Sequence, residues 1–267
     1  MSEIKTILFD MDGTLYQDFN FHRDYLRYSL ENTPYESRLP EALALAERTL
    51  DGNGLVMNRF YRLPEAVPAE GALEQTLRGA MQLEMPFAHC YEAGLGKLAY
   101  LGDPWEVVTL ITAAYGVLEQ NGEQAFLRVR EEMHRRSIHA DPALLSVLLR
   151  LKERYHTILL SNSPEQSASD FIEKLGFQDA FCEKIYDAHK PYGLLKTVYR
   201  VHPELREQPE QMLSVGDHAF NEIENILLAG GKTLWMNPYG DAPQVDTTWS
   251  VRSIAELIAF FEDNFLN

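Results

Sequence analysis

The chain has 267 residues and a formal net charge of −16 at pH 7, from 40 acidic and 24 basic side chains. This excess of acid disfavours nucleic acids and anionic membranes as partners, because both are bound by clustered lysine and arginine. No stretch is apolar enough to span a bilayer, the N-terminus lacks the pattern of a secretory signal, and Cys90 and Cys182 lack metal-ligand spacing. Neither a disulfide framework nor a structural zinc site is favoured, so we expect a cytoplasmic protein.

The first predicted element is a strand at 4–9, where an apolar run stops abruptly at two acids and a glycine. This pattern is typical of a buried parallel strand that presents polar side chains at its carboxyl end. Asp10 and Asp12 are two residues apart and would point to the same side of an extended chain. Gly13 then frees the backbone to turn, and Thr14 adds a hydroxyl. The alternative is an ordinary polar turn after a strand.

Residues 17–139 show apolar side chains at helical spacing and no convincing strand. Asp103 followed by Pro104 is typical of an N-cap with a first-turn proline. We therefore predict an all-helical insertion, a cap domain, over 17–139. The predicted helices lie at 22–31, 39–50, 69–83, 104–118 and 123–138.

From residue 141 onward, predicted strands alternate with predicted helices. This alternation predicts a parallel sheet covered by helices on both faces, which the strand at 4–9 joins. The predicted fold class is therefore α/β, with a three-layer, Rossmann-like core formed by 1–16 and 140–267. Sites in such folds lie beyond the carboxyl ends of the strands. The strands are predicted at 157–160, 181–186, 212–215 and 232–236, and the helices at 142–151, 164–175, 192–199, 223–229 and 254–261.

Acids from several predicted strand ends are expected at one edge of this sheet: Asp10, Asp12, Asp217 and Glu222. Two unit charges ~4 Å apart repel by about 4 kcal/mol at the effective dielectric near a protein surface. Such a cluster must share protons or bind a cation, and oxygen ligands select a hard ion, which favours Mg²⁺. The alternative for Asp217 is a cap on the helix that follows it.

A second polar stretch, Ser161, Asn162 and Ser163, lies where a predicted strand gives way to a helix. Free amides, a hydroxyl and the helix dipole bind anions at such a turn, although Ser163 also fits an ordinary N-cap. Lys190 precedes a proline and another predicted helix. A lone lysine is usually a solvated surface residue, so its signal is weak by itself.

The chain carries four motifs in the order Phe-Asp-Met-Asp-Gly-Thr-Leu at 9–15, Leu-Leu-Ser-Asn at 159–162, Lys-Pro at 190–191 and Val-Gly-Asp at 215–217. These motifs resemble those of the haloacid dehalogenase (HAD) superfamily of phosphohydrolases, and the position of the helical insertion resembles its C1-capped subfamily. The resemblance spans the whole core. It departs at Glu222, where the family commonly has a second aspartate, and at His189, where glycine is common.

The resemblance implies Mg²⁺-dependent hydrolysis of a small phosphorylated metabolite, such as a sugar phosphate, phosphoglycolate or a nucleotide. Asp10 is implied as the nucleophile that forms an aspartyl-phosphate, and Asp12 as the acid and then the base. Members that cleave carbon–halogen bonds resemble the first motif but lack this second acid, so Asp12 favours phosphoryl chemistry. The alternatives are a phosphomutase and a non-catalytic phosphate- or protein-binding module.

The resemblance also implies roles for the remaining motif residues. Lys190 would neutralise the phosphoryl oxygens, and Thr14, Ser161 and the amide of Asn162 would orient the reacting groups. The implied metal ligands are the side chains of Asp10 and Asp217 and the backbone carbonyl of Asp12, with Glu222 either a further ligand or an acceptor behind them.

Substrate identity is expected to depend on the cap and on the loop after the first motif, and nothing in the sequence indicates an oligomeric state. Aromatic residues crowd this loop, and packing between helices is favoured over a substrate-lining role for them. These aromatics are Tyr16, Phe19, Phe21 and Tyr25, and the polar candidates nearby in sequence or in the cap are His22, Arg23, His89 and Lys97.

Overall fold

A computed structural model describes residues 4–17, 20–136, 138–240, 242 and 245–267. Tertiary contacts divide the chain into two compact units. The core unit comprises Met1–Gln17 and Ile138–Asn267, and the inserted unit comprises Asp18–Ser137. Among the described residues, no helix combines the length and the apolar character needed to cross a membrane.

Both units contain strands and helices. The strands are β1 (Thr6–Phe9), β2 (Phe60–Arg62), β3 (Met81–Gln82), β4 (Leu98–Tyr100), β5 (His156–Leu160), β6 (Glu183–Ile185), β7 (Met212–Gly216), β8 (Lys232–Met236) and β9 (Trp249–Val251). The α-helices are α1 (Phe21–Leu30), α2 (Leu39–Leu50), α3 (Leu73–Gly79), α4 (Phe87–Ala93), α5 (Pro104–Ala114), α6 (Leu118–Arg135), α7 (Pro142–Lys152), α8 (Glu165–Leu175), α9 (Leu194–Val201), α10 (Glu224–Leu228) and α11 (Ile254–Phe261). Short 3₁₀ turns lie at Glu36–Arg38, Pro203–Arg206 and Pro209–Gln211, and π-helical turns at Ala219–Ile223 and Glu262–Leu266.

The core unit is built on a parallel sheet whose described strands lie in the order β6-β5-β1-β7-β8-β9. The central strand β1 pairs with β5 on one side and with β7 on the other. All four of its residues are buried, as expected for a strand covered by helices on both faces. The predicted α/β class with a parallel, Rossmann-like core is confirmed. Because the strands run parallel, the residues that follow β1, β5 and β7 share one edge of the sheet.

One face of this sheet packs against α9. Ile158 and Leu160 of β5 form a buried cluster with Val198 of α9 and with Leu205, in the 3₁₀ turn that follows. Fully burying each such side chain contributes about 1.5–3 kcal/mol. Since side chains alternate along a strand, residue 156 lies on this same face, at the rim of the cluster.

The inserted unit packs α1 against α2, α5 and α6. The ring of Trp105, in the first turn of α5, stacks on Phe21 with a centroid separation of 3.9 Å and meets Tyr25 edge-on. Phe21 and Tyr25 are buried, so the interpretation that they serve helix packing is confirmed. Tyr16 instead lies in the core unit against Phe171, and Phe19 lies outside the described residues.

The inserted unit is not all-helical, and that part of the prediction is wrong. β2 pairs antiparallel with both β3 and β4 in a small sheet. These strands have only two or three residues, which is too short for alternation to appear in the sequence. The helix predicted at 69–83 is the shorter α3 followed by β3, and α4 and the edge strand β9 of the core were not predicted.

Glu106 in the first turn of α5 carries an unfavourably placed charge. Its amide donates to the N-cap carboxylate of Asp103 at 2.7 Å. Burial, and then the charge of Asp103, raises the pKa of Glu106 from 4.5 to about 8. The folded protein therefore binds more protons than the unfolded chain between these two values, so the free energy of unfolding falls as pH rises through this window.

We expect Glu106→Gln to flatten this pH dependence, because the amide resembles the protonated acid at every pH. The variant should gain on the order of 2 kcal/mol over the wild type at about pH 8, after a discount for partial exposure, and almost nothing below the unfolded pKa. Urea unfolding at both ends of the window measures the difference, and parallel stability profiles for the two proteins would contradict the assignment.

Candidate active site

The turn after β1 holds Asp10 in a buried position. Its backbone amide donates to the carbonyl of Val215 in β7 at 2.9 Å. The hydroxyl of Thr14, also buried, donates to Oδ2 of Asp10 at 3.3 Å. Between them the chain turns at Gly13, with φ of +81°. The predicted grouping of Asp10 and Thr14 is therefore present in the structure.

Asp217 follows β7 and reaches the same turn. A Cβ placed on Gly13 would lie 1.9 Å from Oδ2 of Asp217, so this carboxylate packs directly on the glycine. The backbone carbonyl of Asp217 accepts from Nε1 of Trp235 at 2.9 Å. The structure thus places acids from the ends of β1 and β7 at one edge of the sheet.

We expect Gly13→Ala to lower the free energy of unfolding by more than the strain of a positive φ alone. Gly52 is the matched control, since its φ is +78° and a Cβ there meets nothing within 4 Å. Each alanine suffers about 1–2 kcal/mol of backbone strain, and only the one at position 13 displaces Asp217, which adds at least about 1 kcal/mol. Denaturant unfolding of both variants measures the difference, and equal losses would contradict the contact.

Lys190 is buried with its ammonium among three acceptors. Nζ lies 2.6 Å from Oδ1 of Asp10, 2.7 Å from Oε1 of Glu222 and 3.0 Å from the carbonyl oxygen of Leu160. Burial alone would lower the pKa of Lys190, but the two carboxylates outweigh it and raise that pKa. The lysine is therefore a fixed cation, and the alternative of a solvated surface residue is wrong.

Asp12 has donors separate from those of Asp10. Its Oδ1 accepts from the hydroxyl of Tyr16, and its Oδ2 accepts from Oγ of Ser163 at 3.5 Å. Burial raises the pKa of Asp10; the Lys190 ammonium opposes this shift, and the charge of Asp12 adds to it. The two acids of the first motif therefore occupy distinct environments.

The turn after β5 positions the lysine. Oδ1 of Asn162 accepts from the amide of Lys190 at 2.7 Å, and its Nδ2 donates to the carbonyl of the same residue at 3.1 Å. Oγ of Ser161 accepts from the amide of Ser163 at 3.1 Å. His189 adopts a φ of +52°, a conformation that glycine adopts more easily. His189 therefore replaces the glycine that is common in the family at this position, but its backbone keeps the conformation that glycine would adopt.

Glu222 lies in the π-helical turn after β7, close to the strand. A Cβ on Gly216 would lie 2.6 Å from its Cγ, so glycine permits this approach. Its Oε1 contacts Lys190, and its Oε2 accepts from the amide of His218 at 3.1 Å. Donors of this chain engage both oxygens, which favours the role of an acceptor for Lys190 over that of a metal ligand.

Two contributions were missed from the sequence. The hydroxyl of Tyr16 donates to the carboxylate of Asp12. The only sequence signal for this contact is that Tyr16 lies four residues after Asp12, on the far side of the turn at Gly13. The side chain of Asn162 holds Lys190, whereas only its backbone amide was predicted to act. The polar candidates of the inserted unit have local environments: Arg23 pairs with Glu47, Lys97 lies 3.8 Å from Glu65, His22 is buried and His89 is exposed.

Residues 4–226 match the family model of haloacid dehalogenase-like hydrolases. Solved structures of similar fold include the magnesium-bound HAD-hydrolase YfnB from Bacillus subtilis (16% identity, TM-score 0.55, covering 97% of this chain and 99% of that one). A second is the L-2-haloacid dehalogenase RSc1362 (17% identity, TM-score 0.53, covering 98% of this chain and 100% of that one). A third is a predicted phosphoglycolate phosphatase from Haemophilus somnus 129pt (18% identity, TM-score 0.53, covering 97% of this chain and 99% of that one). No curated protein matches the chain. Since the family model covers most of its length, the chain belongs to the haloacid dehalogenase-like hydrolases.

Proposed function

We propose that the chain is a Mg²⁺-dependent phosphatase that hydrolyses a small phosphate monoester through an aspartyl-phosphate on Asp10. The proposed substrates are a sugar phosphate, phosphoglycolate or a nucleotide. The observation that carries the proposal is the buried ammonium of Lys190, 2.6 Å from the Asp10 carboxylate. A phosphoryl group repels an anionic nucleophile, and a fixed cation beside that nucleophile reduces the repulsion.

Asp12 supports phosphoryl chemistry over carbon–halogen cleavage. The solved structures of similar fold include both a dehalogenase and a predicted phosphatase, so the fold does not decide between the two reactions. An alkoxide leaving group needs a proton and a halide does not, so a second acid beside the nucleophile has a task as a proton donor only in ester cleavage. Tyr16 and Ser163 hold Asp12 apart from the partners of Asp10.

The donor set fits Mg²⁺, because it consists of hard oxygen ligands. The carboxylates of Asp10 and Asp217 and the backbone carbonyl of Asp12 would hold the ion, and the close packing of Asp217 on Gly13 brings the two strand ends together. When bound, Mg²⁺ would neutralise phosphoryl oxygens. Glu222 is assigned to Lys190 and not to the ion.

In the proposed reaction, the Asp10 carboxylate attacks phosphorus in line, the bond from phosphorus to the leaving oxygen breaks, and Asp12 protonates that oxygen. Asp12 then takes a proton from a water molecule that attacks the aspartyl-phosphate, which releases phosphate and restores Asp10. Thr14 orients Asp10. The groups that bind the phosphoryl oxygens are Lys190, Ser161 and the amide of Asn162.

A substrate panel tests the proposal. Phosphate monoesters and 2-haloacids are incubated with the protein in Mg²⁺ and, separately, in a chelator. We expect phosphate release that requires Mg²⁺ and no halide release. Halide release, or hydrolysis that is indifferent to the chelator, would overturn the proposal.

Asp12→Asn sharpens this test. We expect a loss of about 10²–10⁴-fold for alkyl phosphates, whose leaving oxygen needs a proton. The first step with p-nitrophenyl phosphate should suffer far less, because p-nitrophenolate leaves without one. If Asp12→Asn slowed the first step equally for both kinds of ester, Asp12 would not be the acid that protonates the leaving oxygen.

A further inference from the structure

Two histidines and a glutamate converge at one edge of the core sheet. The turns after β1, β5 and β7, which hold the candidate active site, lie at the opposite edge. His156 is the first residue of β5, Glu183 is the first residue of β6, and His202 directly follows α9. β5 has five residues, so about 16 Å of strand separates His156 from Ser161 at the other edge.

Their ligand atoms lie close to one another. Nε2 of His156 is 2.7 Å from Oε1 of Glu183, and Nε2 of His202 is 3.1 Å from that same oxygen. The three ligand atoms all lie within 4.8 Å of one another. Bonds of 2.0–2.1 Å around a tetrahedral Zn²⁺ place neighbouring ligand atoms about 3.3 Å apart, so small side-chain movements suffice to admit an ion.

The fold fixes the positions of these three side chains. The parallel register of β5 and β6 pairs Ile158 with Glu183, two residues along from His156. His156 and Ile158 share a face of β5, and Ile158 packs with Val198 of α9, the helix that His202 follows. The buried cluster beneath the site therefore holds all three elements in place.

A fourth side chain, a carboxylate, lies beside the second ring nitrogen of His202. Nδ1 of His202 lies 3.2 Å from Oε1 of Glu204, so a proton on Nδ1 donated to this carboxylate leaves Nε2 to face Glu183. Metal-binding histidines commonly have such a carboxylate partner.

We propose that His156, Glu183 and His202 form a site for a divalent transition metal such as Zn²⁺, distinct from the carboxylate site of the proposed phosphatase and independent of it. Two imidazoles and one carboxylate suit Zn²⁺ and Co²⁺, whereas Mg²⁺ prefers oxygen ligands. The side chains of His156, Glu183 and His202 are 36%, 32% and 15% exposed, which gives an ion access from solvent and leaves room for a water ligand. The bound ion would tie the edge strand β6 to β5 and to the end of α9.

Binding is tested on the whole chain, first stripped of metal with a chelator and then supplied with saturating Mg²⁺, so that the oxygen ligands at the other edge are occupied. We expect one equivalent of Zn²⁺ by isothermal titration calorimetry. Co²⁺ should give the intense visible absorption of a four- or five-coordinate ion with nitrogen ligands, which six-coordinate oxygen sites lack. A wild-type protein that binds no Zn²⁺, or that gives only the weak six-coordinate Co²⁺ spectrum, would overturn the proposal without any variant.

Three variants and a control locate the site. His156→Ala and His202→Ala should each weaken Zn²⁺ binding by at least about 100-fold, and Glu204→Gln, which removes only the positioning carboxylate, by about 10–100-fold. His89→Ala changes an exposed histidine of the inserted unit and should leave binding unchanged. Circular dichroism confirms that each variant folds, and unchanged binding in folded His156→Ala and His202→Ala would show that the cluster is only an ion-pair network.

Discussion

Asp10→Asn is expected to reduce phosphate ester hydrolysis by at least about 10³-fold while the protein remains folded. An amide cannot form the aspartyl-phosphate, yet it has almost the shape of the carboxylate. Burial raises the pKa of Asp10, so a neutral side chain costs the fold little. Lys190 also keeps its contacts with Glu222 and with the carbonyl of Leu160.

The measurement is kcat with p-nitrophenyl phosphate and Mg²⁺, together with circular dichroism and thermal unfolding. Asp179→Asn serves as the control, because it removes one exposed carboxylate of the same unit and should leave kcat unchanged. A folded Asp10→Asn protein that keeps more than about a tenth of the wild-type rate would place the nucleophile elsewhere.

Lys190→Met is expected to reduce both activity and stability. Without the ammonium, Asp10 and Glu222 remain buried together with no cation between them, and breaking a buried ion pair in this way costs about 3–5 kcal/mol. Activity should fall by about 10²–10³-fold, because the phosphoryl oxygens lose a preorganised positive charge. The stability deficit should shrink as pH falls, because protonation of the stranded carboxyls removes their buried charge.

A second substitution separates the two effects. Glu222→Gln added to Lys190→Met should recover part of the lost stability and none of the lost activity, because it removes a stranded charge without restoring the ammonium. Lys196→Met on α9 is the control for loss of an exposed lysine. Urea unfolding and kcat are measured for the wild type, the Lys190→Met variant, the double variant and the Lys196→Met control. A Lys190→Met protein as stable as the wild type would contradict the buried ion-pair network.

The sequence predicted the sheet edge well because the signal there is local. An apolar run that stops at Asp10, or at Gly216 and Asp217, marks the end of a buried strand, and parallel topology brings such ends together. Burial of Lys190 was not predictable in the same way. It depends on the side chain of Asn162, 28 residues earlier in the chain, and on Glu222 beyond β7.

The small sheet of the inserted unit and the histidine cluster of the core unit escaped prediction for similar reasons. Strands of two or three residues show no alternation, so β3 appeared as the end of a helix. His156, Glu183 and His202 are 27 and 19 residues apart, which matches no metal-ligand spacing along the chain. Only the register of β5 with β6 and the end of α9 bring them together.

The most direct test of the central claim uses Asp12→Asn with p-nitrophenyl phosphate and Mg²⁺, followed by an acid quench and peptide mapping by mass spectrometry. The leaving group needs no acid, but hydrolysis of the intermediate needs the base that this variant lacks, so the covalent enzyme should accumulate. We expect one phosphoryl group on the peptide that carries Asp10, and none when position 10 is also asparagine. Release of p-nitrophenol with the phosphoryl group on another residue, or with no covalent enzyme at any time during turnover, would contradict the account.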